Sequence, residues 1–172
     1  MSAPDPREVQ FPGVRLRFDS NKTYDELVAT LLADVGDAPV RMDDLLTGAH
    51  GNWESYVNQV ESYLGPSKFM LFGLIDHGGW IKLSGIDRKV LRAIIGNPLI
   101  AITMLRHDVT AGLFAPVELL LVEQPDGHSS LFYVKPSSLM VVEDNPPLLA
   151  AAQELDAKLA ALAAKITGTE AD

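Results

Sequence analysis

The sequence of 172 residues contains no cysteine. This absence excludes disulfides, thiolate metal sites, a cysteine nucleophile and covalent haem attachment. Basic residues are also few, since 14 lysines and arginines stand against 23 aspartates and glutamates, for a net charge of −9. An acidic chain repels phosphate backbones and anionic lipid surfaces. We therefore expect neither a nucleic acid nor a membrane as its main partner.

Several signatures of dedicated chemistry are also missing. Neither of the phosphate-binding patterns GxxxxGK[ST] and GxGxxG occurs in the sequence, and the nucleophile pattern GxSxG is absent. The four histidines show no HxH or HExxH spacing. The sequence therefore predicts no metal site and no bound cofactor.

No segment has the pattern of a membrane span or a secretory signal. The first residues, MSAPDPREVQFPG, are polar and proline-rich and lack the apolar core of a signal peptide. The uncharged run between Arg92 and Arg106 is too short to cross a bilayer, and Asn97-Pro98 interrupts it. These features predict a cytoplasmic protein.

Length and composition indicate one globular domain. Hydrophobic residues make up 47% of the chain and charged residues 22%, as in ordinary folded domains. We assign residues 1–13 to a flexible N-terminal arm, 14–168 to a single domain and 169–172 to a tail. Residues 37–67 are predicted to form a helical insert in this domain, because apolar residues repeat there at helical spacing until Gly65-Pro66.

The apolar periodicity predicts strands that alternate with helices. Predicted strands cover residues 14–18, 68–75, 89–95, 116–123 and 129–134, and the main predicted helices begin after Thr23, at Pro98 and at Pro146. The stretch 68–75 is nearly all apolar, which is typical of a central strand covered on both faces. The order β-α-(helical insert)-β-α-β-α-β-β-α favours an α+β fold, a single sheet of about five strands with helices packed on it.

Two local alternatives stay open on these grounds. Residues 77–85 fit either a hairpin that turns at Gly78-Gly79 or a short helix that Gly85 closes. The apolar stripe of the last helix, from Leu148 to Ile166, fits packing on the sheet and also fits a dimer seam.

Polar motifs end two of the predicted apolar strands. Asp76-His77 ends the strand over 68–75, and Gly96-Asn97-Pro98 ends the next one. Because ligands gather beyond the carboxyl ends of strands in such sheets, we expect a small-molecule pocket there. Its polar contacts are predicted to be Asp76, His77, Asn97 and Glu123, and its apolar walls Trp80, Met104 and Tyr133.

His77 is the candidate general base, because an unperturbed imidazole titrates near neutrality, and Asp76 or Glu123 would orient it. The same residues also fit roles without chemistry, since Asp76-His77 suits a turn and Asn97 suits a helix cap. The leading hypothesis is a small-ligand binding or sensing protein. The alternatives are an enzyme of unassigned reaction that uses His77, and a structural or interaction protein.

Several short motifs, taken in their order and spacing, resemble those of a known family. They are Ile75-Asp76-His77, Ile95-Gly96-Asn97-Pro98, Met104-Leu105, APVELLLVE over 115–123, Asp126-Gly127 and FYVKPS over 132–137. Together they resemble the domain of unknown function 302 family, from about Val14 to the last helix.

The resemblance implies a compact α+β domain that is often a homodimer. It also favours the short helix over the hairpin after His77. The sequence departs from the family pattern in the longer insert over 37–67 and in Gly78-Gly79-Trp80, which replaces an alanine-rich helix start. The family has no established activity, so the resemblance implies a fold and candidate positions and not a reaction.

Overall fold

A five-stranded antiparallel sheet organises residues 5–169, the part of the chain that the computed structural model describes. Its strands are β1 (Arg15–Ser20), β2 (Met70–Asp76), β3 (Val90–Gly96), β4 (Val117–Glu123) and β5 (Ser129–Val134). They lie in the order β1-β5-β4-β3-β2, so β1 and β2 are edge strands. The predicted α+β fold with a single five-stranded sheet is confirmed. The predicted arm and tail lie partly outside the described residues.

Helices connect these strands. They are α1 (Tyr24–Val35), α2 (Met42–Ala49), α3 (Trp53–Tyr63), α4 (His77–Ile81), α5 (Pro98–Leu105), α6 (Pro136–Met140) and α7 (Pro146–Thr167), with 3-10 helices at Lys82–Ser84 and Val109–Phe114. A short helix and not a hairpin therefore follows β2, and Gly85 closes it at a φ of 90°. The sequence did not predict α6 or the second 3-10 helix, because segments this short show too little periodicity.

The ends of the longest helices follow from local hydrogen bonds. At the start of α1 the Thr23 hydroxyl accepts from the Glu26 amide at 3.3 Å, while the Glu26 carboxylate accepts from the Thr23 amide at 2.8 Å. This is the reciprocal capping box that the sequence predicts. The side-chain carbonyl of Asn145 likewise accepts from Leu148 N at 3.1 Å and starts α7, which ends at Gly168 with a φ of 73°.

The main core lies between one face of the sheet and the helices α1 and α7. The apolar stripe of α7 is buried within the chain: Leu148, Ala152, Leu155, Leu159, Leu162 and Ile166. It shares a cluster with Ala93 of β3 and Leu119 of β4. Of the two alternatives for this stripe, packing on the sheet is therefore correct.

Strand β2 is not the central strand that its apolar composition predicts, because it lies at the edge of the sheet. The helices of the insert explain its composition. Leu45 of α2 and Val60 of α3 form a second core with Met70. The Val40 amide also donates to the Leu71 carbonyl at 2.8 Å, which occupies part of the free edge. The same apolar pattern therefore fits two arrangements: an edge strand that an insert covers, and a central strand that is covered on both faces.

Candidate functional site

Asp76 and His77 lie at the junction of β2 and α4. The Asp76 carboxylate accepts from the Gly79 amide at 3.1 Å and so caps α4. Nδ1 of His77 accepts from Nε1 of Trp80 at 3.2 Å, and the two rings meet edge to face. Among residues 5–169 no hydrogen bond joins the imidazole to Asp76 or Glu123. Its role as a general base stays a prediction.

Asn97 is buried between β3 and α5. Its side-chain oxygen accepts from the Leu99 amide at 2.8 Å and caps α5. Its side-chain nitrogen donates to the Lys68 carbonyl at 2.9 Å, which joins the end of β3 to the segment before β2. Both polar groups of this amide therefore stabilise the fold directly.

The structure places the two strand-end motifs at opposite ends of the β2–β3 pair. Met70 pairs with Gly96, whereas Asp76 pairs with Leu91. Five residue steps of β3 therefore separate the two motifs, or about 17 Å at about 3.4 Å per residue. The expectation of one pocket shared by His77 and Asn97 is not met. The rule about carboxyl ends applies to parallel strands, and antiparallel neighbours end at opposite edges.

Asp76 and Glu123 do share a charged cleft with Tyr24 and Lys89. Burial, followed by the negative charges of neighbouring carboxylates that include Asp76, raises the pKa of Tyr24 to about 12. The Lys89 ammonium donates to the Asp25 carboxylate at 3.0 Å. This lysine is therefore already paired with a carboxylate of α1.

Tyr133 lies on the covered face of β5, where it is 4% exposed and stacks on Phe18. Within the described residues its hydroxyl has no hydrogen-bond partner, and neither has Oδ2 of Asp156. Burial, and to a lesser degree the nearby Asp156 charge, raises the pKa of Tyr133 to about 12. The structure thus places this predicted wall residue in the core of the domain.

Replacing Tyr133 by phenylalanine is expected to make the protein more resistant to alkaline unfolding. The free side chain ionises near pH 10 and the buried one near pH 12, so between these values the unfolded state releases a proton that the folded state retains. This difference lowers the free energy of unfolding of the wild type by about 1.4 kcal/mol per pH unit, and the variant lacks it. Urea unfolding at a series of pH values from about 8 to 11 measures the effect.

The exposed Tyr63→Phe variant is the matched control and is expected to keep the slope of the wild type. Near neutral pH the Tyr133→Phe variant is expected to differ from the wild type by less than about 1 kcal/mol, because the lost hydroxyl has no partner. Equal alkaline slopes for wild type and Tyr133→Phe would contradict the assignment.

An apolar pocket of about 340 Å³ opens between the helical insert and α5. This volume falls within the range of small-molecule sites. Its walls come from α2, α3 and α5, from the start of β2 and the end of β3, and from the segment that enters β4. They include Met42, Trp53, Tyr56, Phe72, Ala101 and Met104. Asn97 and Met104 are the predicted site residues that line this pocket.

The local sequence explains how the walls come together. A Cβ atom at Gly96 would lie 3.1 Å from Cβ of Pro116 and 3.2 Å from Cε2 of Phe72, so the missing side chain permits this close approach. Helix α5 reads PLIAITML and is apolar on nearly every side. Such a helix must be covered on more than one side, and this signal in the sequence could have indicated the pocket.

Trp53 stands beside this pocket with 58% of its surface exposed. Its ring stacks on Tyr56 with the centroids 5.6 Å apart. The pair presents a broad aromatic surface next to an apolar cavity, an arrangement typical of ligand-binding sites.

No helix within residues 5–169 has the length and apolar character needed to cross a membrane. In the same part of the chain, no three histidine, aspartate or glutamate side chains come together as a group that could hold a metal ion.

The fold is similar to that of an uncharacterised conserved DUF302 protein from Bacillus stearothermophilus, whose crystal structure matches with a TM-score of 0.61. The match covers 88% of this chain and 97% of that chain at 16% sequence identity, so it concerns the fold alone. No curated protein matches the chain. The model of the family described as "Domain of unknown function DUF302" matches residues 47–166, well over half of the sequence. The chain therefore belongs to the DUF302 family.

Proposed function

We propose that this protein binds a small apolar molecule in the pocket between the helical insert and α5, and that it does so as a homodimer. The observation that supports ligand binding is the pocket itself, about 340 Å³ of space with an almost wholly apolar lining and an exposed tryptophan beside it. Burying apolar surface is the main source of affinity in a site of this kind.

The lining favours a neutral ligand with an apolar body, such as a medium-length acyl chain. Its principal amide, that of Asn97, is engaged with Leu99 and Lys68, so a charged ligand would find no counter-charge there. Met42 and Met104 give the walls flexible thioether side chains that adapt to an elongated shape. Any polar group of the ligand would remain in water at the mouth, beside Trp53.

Of the residues that the sequence predicts as ligand contacts, Met104 and Asn97 line this pocket, and the ligand is proposed to lie against them. The other predicted contacts, Asp76, His77, Trp80, Glu123 and Tyr133, lie outside this lining. A ligand in the pocket would contact the insert and α5 at once. Binding would therefore hold α2 and α3 against the sheet and raise the stability of the whole domain by mass action.

The Ala101→Phe variant is expected to weaken binding by at least about 10-fold, because the added ring occupies the pocket from α5. The probe is N-phenyl-1-naphthylamine, a neutral apolar fluorophore that becomes bright on leaving water. Titration is expected to give one site per chain in the wild type, and decanol is expected to displace the probe. The Trp80→Phe background leaves Trp53 as the only tryptophan, so its emission reports occupancy of the pocket.

The matched control is Ala161→Phe, which adds the same ring at an exposed position of α7 and is expected to bind the probe like the wild type. Thermal unfolding without the probe establishes that both variants fold. Failure of the wild type to bind the probe, or equal affinity in the wild type and Ala101→Phe, would overturn the proposed ligand site.

The homodimer is supported by the centre of the sheet face opposite α1 and α7, where Val90, Leu120, Val122 and Phe132 are only half-buried within the described residues. Helices α1 and α7 pack on one face only, and the opposite face keeps apolar side chains at its surface. Sedimentation velocity of the wild-type protein measures the oligomeric state directly, and a dimer is the expected result.

A further inference from the structure

The face of the sheet that points away from α1 and α7, called here the open face, is apolar at its centre. Cross-strand pairing places Val90 opposite Val122 and Arg92 opposite Leu120, and it places Leu120 opposite Phe132. These pairs share one face because side chains alternate along each strand. Leu120 lies midway along β4, the central strand, so it marks the centre of the open face.

These side chains do not complete the core of a single chain. Val90, Leu120, Val122 and Phe132 are only half-buried, and among the described residues they belong to neither buried cluster. An antiparallel sheet with one solvated face usually alternates apolar and polar residues. Strand β4 instead carries apolar residues on both faces from Leu119 to Val122. The centre of the open face therefore has the composition of a covered surface, although no part of its own chain buries these four side chains among the described residues.

Two of the three arginines of the open face are paired with carboxylates, whereas Arg15 has no carboxylate partner among residues 5–169. Arg17 bonds to Asp19 at 2.7 Å, and Arg92 pairs with Glu118. The guanidinium groups of Arg15 and Arg17 also lie over the Phe132 ring, at 5.4 and 5.5 Å from its centroid. Burying these two pairs leaves no lone ion at their positions, and Arg15 lies on the edge strand β1, at the rim of the face. Because each copy carries both signs, the surface is complementary to itself, as a two-fold interface requires.

The area is close to what a specific contact needs. The insert covers the Met70 end of β2, so four strands with six or seven residues each form most of the uncovered face. At about 4.8 Å between strands and about 3.3 Å per residue, two such faces cover roughly 800 Å², somewhat below the lower bound of about 1,000 Å² for a specific interface. A cleft that joins this face to Leu113, which is 81% exposed, enlarges the apolar surface further.

We infer that the open face is the interface with a second copy of this chain, in a two-fold dimer with the sheets packed face to face. This inference presupposes the proposed homodimer and adds its location. A two-fold axis through the middle of the face would bring the Leu120 side chains of both copies together at the centre. The uncovered sheet of one copy would then be covered by the sheet of the other.

The Leu120→Glu variant is expected to weaken the dimer by about 30-fold or more, because it places a charge at the centre of the interface. Sedimentation equilibrium measures the dissociation constant. Leu46→Glu is the matched control, since it makes the same change on α2 at a position that is 59% exposed, and it is expected to remain dimeric. Circular dichroism and thermal unfolding report whether each variant folds.

A second measurement uses the absence of cysteine from the chain. A Leu120→Cys variant is expected to be cross-linked into a dimer by a short bis-maleimide, whereas Leu46→Cys is not. A monomeric wild type would overturn both the homodimer and this interface. A dimeric wild type, together with a folded Leu120→Cys variant that is not cross-linked, would overturn the interface and leave the homodimer standing. The cross-link decides the matter even if Leu120→Glu does not fold.

Discussion

Replacing Gly65 by alanine is expected to lower the free energy of unfolding by at least about 3 kcal/mol. A Cβ atom at this position would lie 1.6 Å from the carbonyl oxygen of Asp34, well inside any allowed contact. The position of the Cβ atom is fixed by the backbone of residue 65, and the oxygen belongs to the backbone of Asp34, so no side-chain rotation relieves the overlap. Hydrogen bonds of the Gly65 amide to the Phe69 carbonyl and of the Lys68 amide to the Gly65 carbonyl, both at 2.9 Å, hold the turn in place.

Urea denaturation of the wild type, Gly65→Ala and Gly73→Ala measures this effect. Gly73 is the matched control, because its added Cβ would lie 3.5 Å from Cδ1 of Ile94, an ordinary contact. We expect the control to lie within about 1 kcal/mol of the wild type. If Gly65→Ala unfolds at the same urea concentration as the control, the close approach of this turn to α1 is wrong.

The turn at Gly65 lies between the insert and β2, so its distortion is also expected to reach the apolar pocket. Gly65 follows the end of α3, and the chain then enters β2 through Phe69. Phe69 and Trp53 both line the pocket. A Gly65→Ala protein that still folds is therefore expected to bind the neutral fluorophore more weakly than the wild type.

The sequence predicts an element well when the residues that stabilise it lie only a few positions apart. The capping box of Thr23 and Glu26 and the regular stripe of α7 both depend on residues three or four positions apart. The structure shows both. The family resemblance also indicated the short helix after His77, where local patterns left the hairpin open.

The position of each strand in the sheet could not be predicted in this way. The β2 sequence reads as a central strand because both of its faces are apolar near Met70, yet one of them is covered by the insert. Only long-range contacts between Leu45, Val60 and Met70 distinguish the two arrangements. A single sequence does not show such contacts directly.

The predicted location of the candidate site differs from the observed pocket for a related reason. Asp76 and Asn97 both follow apolar strands, and the prediction of a shared pocket assumed that such strand ends meet. Because β2 and β3 are antiparallel, the two residues lie at opposite ends of the pair. The apolar pocket near Asn97 combines α3 with α5, and their contact depends on the packing of the insert. The sequence predicts Asn97 and Met104 as site residues, whereas Trp53 lies in the insert over 37–67, where the apolar spacing predicts only helices.

Replacing Lys165 by methionine is expected to lower the free energy of unfolding by about 3 kcal/mol, because it leaves a buried carboxylate without its counter-charge. Oδ2 of Asp34, whose side chain is 3% exposed, lies 2.6 Å from Nζ of Lys165. The same carboxylate accepts from the Ser67 hydroxyl at 2.8 Å and from the Ser67 amide at 3.3 Å. These bonds join α1, α7 and the turn before β2 in one network.

The two partners of this ion pair differ in their access to water, so their replacement is expected to have unequal effects. Lys165 is 44% exposed and can return to solvent when Asp34 becomes asparagine. We therefore expect Asp34→Asn to lower the free energy of unfolding by only about 1.5 kcal/mol. The double variant is expected to be more stable than Lys165→Met alone, because it contains no buried lone charge.

Urea unfolding of the two single variants and the double variant forms a complete cycle, with Lys158→Met as the matched control on the exposed side of α7. The control is expected to lie within about 0.5 kcal/mol of the wild type. Equal losses for Asp34→Asn and Lys165→Met, with the double variant at their sum, would show that the two residues act independently. The expected result instead identifies the buried Asp34 carboxylate as the group that makes Lys165 necessary for the stability of this fold.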